Sequence, residues 1–164
     1  MDQYNWTRIK LEEAARLRDT EKKVDWIFVI VHKPLYTLKG GHRPERKARD
    51  IYQPLFDQYQ VDFVLHGHSH NMQRTLPIKY GGLDQSPIIT ASGLDFSQDH
   101  GQIYIVSGAG GRPLYKFDEG KNRWTAFAYD KEYGYHLFIV KGNRADVYAK
   151  SNDGQVLEQF TVTK

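Results

Sequence analysis

A chain of 164 residues, of which 40% are hydrophobic and 13% aromatic, is long and apolar enough to form one packed core, which excludes a disordered polymer. The absence of cysteine excludes disulfide bonds, thiolate metal sites and a cysteine nucleophile. Basic residues are scattered and the formal net charge is only +3, so we expect no nucleic-acid partner. No apolar run approaches membrane-spanning length, and we expect no membrane partner.

The first half of the chain predicts alternating helices and strands. Leu11, Ala14 and Ala15 recur at helical spacing, and a second helix begins near Pro44 and presents one apolar face. Two short runs rich in β-branched and aromatic residues predict buried strands. Pro54 is expected to kink or interrupt the second helix. The predicted order is helix, strand, loop, helix and strand at Trp6–Arg18, Trp26–Val31, 32–43, 44–59 and Val61–His66.

From Thr75 onward the pattern predicts only strands. Glycine-containing turns separate them, and Gly142-Asn143 and Asn152-Asp153-Gly154 have the composition of hairpin tips. Tyr115 and the aromatic residues after it are interpreted as core or sheet-surface residues. No repeat and no long linker divides the chain, so residues 1–164 are expected to form a single domain. The predicted strands are Pro87–Thr90, Gln102–Ser107, Thr125–Tyr129, Tyr135–Val140, Ala145–Lys150 and Val156–Val162.

Histidines follow both predicted strands of the first half. His32 comes directly after the first strand, and Gly67 is expected to bend the chain after the second so that His68 and His70 face the same crevice. Polar groups at the carboxyl ends of buried strands face the crevice where α/β proteins bind ligands. Imidazole and oxygen ligands suit zinc, iron or manganese. His32, His68 and His70 therefore predict a metal site, whereas His66, inside the strand, is interpreted as a core residue.

Further motifs accompany these histidines. The full set is His32-Lys33-Pro34-Leu35-Tyr36, Pro54-Leu55-Phe56, Tyr59–Leu65, Gly67-His68-Ser69-His70, Gly101–Gly111 and Asp153-Gly154. It resembles the C-terminal half of the calcineurin-like metallophosphoesterases, and within that superfamily it is most similar to purple acid phosphatases. The resemblance covers nearly the whole chain. It implies an α/β (α+β) fold, namely the C-terminal half of a β-sandwich flanked by helices, with a mixed sheet followed by antiparallel hairpins.

The resemblance also implies a role for each of four histidines. His32 and His68 match ligands of one ion in a two-metal centre of divalent or trivalent iron, zinc or manganese, and His70 matches a ligand of the other ion. His42 falls where purple acid phosphatases often place a histidine that contacts the substrate or donates a proton. It is therefore the predicted catalytic and substrate-binding residue. The alternative interpretation of His42 is an exposed loop histidine beside Gly40-Gly41.

The chain departs from the family pattern in its acidic motifs. Family members place two aspartates, usually a tyrosine, and a metal-binding asparagine upstream, in motifs of the types GDxG, GDxxY and GNH. This sequence contains no Gly-Asp pair and no Gly-Asn-His, and Gly142-Asn143-Arg144 is interpreted as a hairpin turn. Three neutral imidazoles do not offset the repulsion between two ions roughly 3.5 to 4 Å apart. Residues 1–164 are therefore expected to be a partial domain that lacks the N-terminal metal-binding motifs and holds at most one metal ion weakly.

The reaction that the resemblance implies is hydrolysis of a phosphomonoester by metal-activated water, with a phosphate ester as substrate and phosphodiester hydrolysis close behind. The isolated chain is expected to be inactive or weakly active. The alternatives are a non-catalytic binding or structural fragment and a mononuclear zinc site formed by His32, His68 and His70. Strands Trp26–Val31 and Val61–His66 would lack neighbours in a partial sandwich, so we expect self-association or complementation by the missing N-terminal half.

Two further segments lie close to the histidines in sequence or in the expected fold. The glycine run Gly108–Gly111 lacks the lysine and the following Ser or Thr of a nucleotide-binding loop, and it is interpreted as a tight turn near the site. The basic stretch Lys39–Arg49 is interpreted as a solvated helix start beside a loop. The alternative is that Lys33, Arg43 or His42 lies near the crevice and attracts an anionic substrate.

Overall fold

The computed structural model describes residues 1–97, 100–118 and 120–164, and these residues form two helices and three β-sheets. The helices are α1 (Gln3–Asp19) and α2 (Arg46–Gln58). The strands are β1 (Phe28–Ile30), β2 (Phe63–His66), β3 (Met72–Thr75), β4 (Ile78–Lys79), β5 (Ile88–Ile89), β6 (Asp95–Phe96), β7 (Ile103–Ser107), β8 (Thr125–Tyr129), β9 (Gly134–Lys141), β10 (Arg144–Ser151) and β11 (Val156–Thr163). No helix among the described residues is long and apolar enough to cross a membrane.

Five strands form a central mixed sheet in the order β1-β2-β7-β3-β8. The first three are parallel, with Phe28 opposite Phe63 and Phe63 opposite Ile103. Strand β3 runs antiparallel to both β7 and β8. Both faces of β2 and β7 are covered, which explains why their sequences are nearly continuous apolar runs. The parallel register brings the carboxyl ends of β1 and β2 to the same edge of the sheet.

A second sheet, in the order β6-β11-β10-β9, contains the two predicted hairpins. Gly142 and Gly154 turn the chain at φ values of 53° and 91°, which glycine adopts without a steric penalty. The inward residues of this sheet pack on the central sheet, where Val147 and Phe160 join the same core as Phe63. The α/β (α+β) prediction, with two sheets packed face to face, is confirmed.

The two helices cover the other face of the central sheet. Leu11 from α1 and Phe56 from α2 pack in one core with Val64 and Tyr104. Helix α2 continues without interruption through Pro54, which is exposed. The carbonyl group that Pro54 leaves without a helical donor therefore lies where water can reach it, and the helix ends only four residues later.

Strand β3, which directly follows the second histidine cluster, was not predicted because its sequence is not apolar. All four of its residues are nevertheless buried. Arg74, only 1% exposed, pairs with Glu158 of the second sheet at 2.6 Å, and its guanidinium lies 4.3 Å from the centre of the Phe160 ring. A charge-assisted pair and an aromatic face compensate for the burial of this cation between the two sheets.

Candidate metal centre

His32 and His68 meet where β1 and β2 end. Their ring nitrogens Nε2 and Nδ1 lie 3.2 Å apart, and the Gly67 amide donates to the His32 carbonyl at 3.1 Å. The meeting follows from the parallel register of the two strands, in which Ile30 lies opposite Leu65. The structure thus brings together two of the three histidines that the sequence predicted as metal ligands.

The backbone of His68 has a φ of 62°, in the left-handed region that residues other than glycine rarely adopt. The sequence predicted that Gly67 would supply the bend, and this was wrong. Gly67 does not have a positive φ, and a Cβ atom there would approach the His32 ring only to 3.6 Å, an ordinary contact. The strain falls instead on the residue whose imidazole the bend positions, as is typical of functional sites.

His42 lies against His68, with ring centres 3.7 Å apart and planes 24° from parallel. Two glycines bring it there. Gly40 and Gly41 have positive φ, and a Cβ atom would come within 2.3 Å of the Lys116 carbonyl oxygen at Gly40 or 2.2 Å of the Tyr115 ring at Gly41. The structure therefore places His42, which is half-buried, beside the histidine pair. Its catalytic role stays a prediction.

His70 belongs to the same cluster but turns in another direction. Its ring stacks on Tyr115 with centres 4.3 Å apart, and its Nδ1 lies 3.1 Å from the Pro113 carbonyl oxygen. In a neutral imidazole that donates from Nδ1 to a carbonyl, Nε2 is the free acceptor, which is the tautomer that a metal ligand requires. The rings of Tyr115 and His42 also pack edge to face, with centres 5.3 Å apart. Tyr115 is thus part of the site, which its sequence context did not indicate.

A buried polar network joins the two histidine loops from behind. Gln73 accepts a hydrogen bond from the Leu38 amide at 2.7 Å and donates to Thr37 Oγ1 and Asn71 Oδ1, both at 2.8 Å. Thr37 in turn lies 3.5 Å from Ser69 Oγ. These side chains are at most 4% exposed. The loop after β1 and the loop after β2 are therefore fixed relative to each other by satisfied buried groups.

The glycine run after β7, which the sequence analysis interpreted as a tight turn near the site, lies against the loop that carries His68 and His70. A Cβ atom at Gly108 would fall 1.9 Å from the Ser69 carbonyl oxygen, which no side chain can accommodate. The Gly108 amide donates to the Asn71 carbonyl at 3.0 Å. Only glycine permits this approach, so Gly108 sets the position of the segment that carries His70.

The surroundings of His68 and of the neighbouring His66 favour the neutral form of these two imidazoles. Partial burial lowers the pKa of His68, and the neighbouring His42, His32 and Lys33 side chains lower it further. His66, the predicted core histidine, is 4% exposed and its Nδ1 lies 2.9 Å from the Val31 carbonyl oxygen. Burial lowers the pKa of His66 to about 4. Neutral imidazole is the form that binds metal ions.

The donor set fits part of a metal coordination shell. Two imidazole nitrogens on one tetrahedral zinc ion lie roughly 3.3 Å apart, so the 3.2 Å between His32 Nε2 and His68 Nδ1 matches two positions around one ion. In the described part of the chain, however, no group of three or more His, Asp or Glu side chains is arranged to hold a metal ion. The alternative mononuclear zinc site of His32, His68 and His70 is therefore not preformed.

The fold and this histidine cluster define a metallophosphoesterase-like domain. Residues 2–72 match the calcineurin-like phosphoesterase family, and residues 101–159 match the family described as iron/zinc purple acid phosphatase-like protein C. The chain belongs to the calcineurin-like phosphoesterases and is purple acid phosphatase-like within them.

Individual relatives agree with this family. A protein named probable inactive purple acid phosphatase 1, from Arabidopsis thaliana, is 30% identical over 99% of the chain and 26% of its own length. A nucleotide pyrophosphatase/phosphodiesterase from Hordeum vulgare is 29% identical over 93% of the chain and 42% of its own length. The structure of a purple acid phosphatase from yellow lupin (Lupinus luteus) seeds superposes with a TM-score of 0.84 at 25% identity, over 99% of this chain and 28% of that one. The chain thus spans 26% to 42% of the length of these proteins.

Proposed function

We propose that this chain supplies the histidine part of a metal-dependent phosphoesterase centre that hydrolyses phosphomonoesters with metal-activated water. The observation that carries the proposal is the convergence of His32 and His68 at 3.2 Å, with His42 stacked on His68. His32 and His68 would hold one iron, zinc or manganese ion, and His70 would hold a second. The bound metal would supply Lewis acidity and a water molecule of lowered pKa.

His42 is the residue proposed to act on the substrate. Its ring is packed between His68 and Tyr115, so it has one well-defined position beside the predicted ligands. A histidine in this position can donate a hydrogen bond to a phosphoryl oxygen or a proton to the leaving alkoxide. Because Tyr115 contacts both His42 and His70, we propose that Tyr115 is a positioning residue for the two.

The negative charge that a two-metal centre needs would come from a segment that pairs with β1. This strand is the outer strand of the central sheet among the described residues, and its Ile30 is 80% exposed. An apolar groove of about 610 Å³ runs beside it and is lined by residues such as Trp6 and Phe56. A strand added here would end next to His32, because parallel strands bring their carboxyl ends to one edge. We propose that a carboxylate-bearing strand of the same phosphoesterase domain occupies this edge.

A second candidate function is a non-catalytic binding or structural module. The observation in its favour is that the described residues contain no complete metal-binding group. A relative named as a probable inactive purple acid phosphatase is consistent with such a role. The two candidates differ in what they expect of the histidines: only the phosphoesterase centre requires His32 and His68 to share an ion.

Titration of the purified chain with Zn²⁺, followed by calorimetry, tests the metal assignment. We expect at most one weakly bound ion, and we expect His32→Ala and His68→Ala to weaken its binding by about tenfold or more. His100→Gln is the matched control, because His100 contacts Phe96 and the Gly101 carbonyl and not the histidine cluster. Metal binding that these two alanine variants leave unchanged would overturn the assignment of His32 and His68.

Hydrolysis of p-nitrophenyl phosphate and light scattering test the remaining parts of the proposal. We expect little or no turnover by the chain alone, and a concentration-dependent increase in mass if the β1 edge pairs with a second copy in the absence of the proposed strand. Ile30→Lys should abolish that increase. Two tightly bound ions with robust turnover by the chain alone would refute the need for an added carboxylate-bearing strand.

A further inference from the structure

A second cavity lies beside the loop that carries His42 and is lined by Lys39 and Arg43 of that loop. It has a volume of about 820 Å³ and is bounded by the loop after β1, the start of α2 and the segments around Ser86 and Trp124. Cavities of this size accommodate small organic ligands. Tyr36 and Trp124 contribute aromatic surface to it, and their rings pack edge to face with centres 5.3 Å apart.

The cavity is strongly basic. The described residues that line it include five basic side chains and two acidic ones, a balance of +3. The acidic members are Glu45 and Asp84, and the basic members are Lys39, Arg43, Arg46, Lys47 and Arg49. One of the two acidic side chains is already engaged, because Glu45 pairs with Lys33 at 3.1 Å. Among the described residues, the walls of the cavity therefore carry more basic than acidic side chains.

Three of the basic side chains are available to a ligand. Arg43, Arg46 and Lys47 are exposed and form no ion pair with any described residue. Arg49 differs from them, since it pairs with Asp50 at 3.0 Å and lies over the Tyr36 ring. The available cations thus come from one short segment of the cavity lining, residues 43–47.

Their position at the start of α2 is electrostatically unfavourable in the absence of an anion. Arg46 and Lys47 occupy the first turn of the helix, which contains no acidic residue, and the side chain of the N-cap Glu45 makes no capping hydrogen bond. Helix N-termini carry a partial positive charge and favour acidic residues. An anionic ligand would relieve the repulsion between these side chains and the helix terminus.

We propose that this cavity binds a ligand with at least two phosphate groups and holds the phosphates that do not react. The inference rests on the proposed phosphoesterase function, because the reacting phosphate would lie at the histidine cluster. Consecutive residues connect the two places: His42 stacks on His68, and Arg43 lines the cavity. A substrate with two or more phosphates would extend across this loop, with one end at each site.

Tripolyphosphate binding to the full chain in metal-free buffer with a chelator tests the proposal by calorimetry. We expect saturable one-to-one binding that the triple variant Arg43→Ser, Arg46→Ser and Lys47→Ser weakens by about tenfold or more. The matched control is Lys22→Ser, Lys131→Ser and Lys141→Ser, which removes the same charge from exposed positions outside the cavity and should change the affinity less than about twofold. Equal weakening by both triple variants, or no binding by the unmodified chain, would overturn the proposal.

Two further measurements keep the result interpretable. The cavity variant should melt at the same or a higher temperature than the unmodified chain, because it removes cations from a helix N-terminus. If it does not fold, the single variant Lys47→Gln replaces it and should still weaken binding. His68→Ala should retain tripolyphosphate binding, so a failure of the metal assignment and a failure of the basic cavity give different outcomes. Loss of binding in His68→Ala would place the polyphosphate at the histidines and refute the cavity.

Discussion

Replacement of His68 by glycine and by alanine tests whether the backbone at this position is strained. Both variants remove the imidazole and its contacts with His32 and His42, so the difference between them isolates the cost of the positive φ of 62°. The left-handed conformation costs a residue with a Cβ atom roughly 1–2 kcal/mol. Glycine loses about 0.5–1 kcal/mol more backbone entropy on folding. We therefore expect His68→Gly to be more stable than His68→Ala by about 0.5–1 kcal/mol.

Urea unfolding at neutral pH, followed by circular dichroism, measures this difference as a change in the midpoint at constant slope. The pair His70→Gly and His70→Ala is the matched control, because His70 does not have a positive φ. There alanine should be the more stable variant by about 0.5–1 kcal/mol. If His68→Ala is as stable as His68→Gly or more stable, the strain argument is refuted. If glycine is the more stable variant at both positions, the preference is not specific to the backbone of His68.

Three other predictions concern the supports of the site and the core. Gly108→Ala should destabilise the fold by about 2 kcal/mol, because the new Cβ atom would meet the Ser69 carbonyl. The control Gly110→Ala, whose Cβ atom would have no atom within 4 Å, should change the free energy of unfolding by less than about 0.5 kcal/mol. Denaturant unfolding measures both. Gln73→Leu should cost about 1–3 kcal/mol in the same assay, since it leaves buried partners unsatisfied. Burial lowers the pKa of His136 to about 4 from 6.5, with a smaller contribution from Arg74, so stability should be unaffected above pH 6.5 and fall by about 3 kcal/mol as the pH drops to 4. His136→Leu should remove that part of the acid dependence, and an unchanged pH profile would contradict the assignment.

Local patterns in the sequence predicted much of the architecture. The apolar run that ends at His66 became β2, and the turn compositions at Gly142 and Gly154 became hairpins, because these features depend on neighbouring residues alone. The place of His32 and His68 at one sheet edge was also predictable, since both directly follow buried strands whose carboxyl ends were expected to face one crevice. Helix α2 was less well predicted. It begins at Arg46 and not at Pro44, and it continues through Pro54, where an interruption was expected. Whether a helix tolerates a proline depends on which side of the helix faces water, which the local sequence does not show.

Contacts between distant segments were not predictable in this way. Nothing in its neighbourhood marked Tyr115 as a member of the histidine cluster, and β3 was missed because polar residues such as Gln73 and Arg74 satisfy their hydrogen bonds and charges with partners far along the chain. The strain at His68 was assigned to the wrong residue for a related reason: which residue takes a positive φ is decided by the packing around the bend.

The sequence by itself determined both helices, most of the strands, the family and the four histidines, because periodicity, turn chemistry and motif spacing depend on consecutive residues. Only the tertiary structure decided that three imidazoles lie in contact while His70 turns toward Pro113, and that the basic start of α2 borders a cavity. These features depend on segments that are distant in sequence and pack closely together. The contact of Gly108 with Ser69, in the loop between His68 and His70, is one example. That approach depends on the packing of the whole domain, in which each side chain is fixed by neighbours that are remote in sequence.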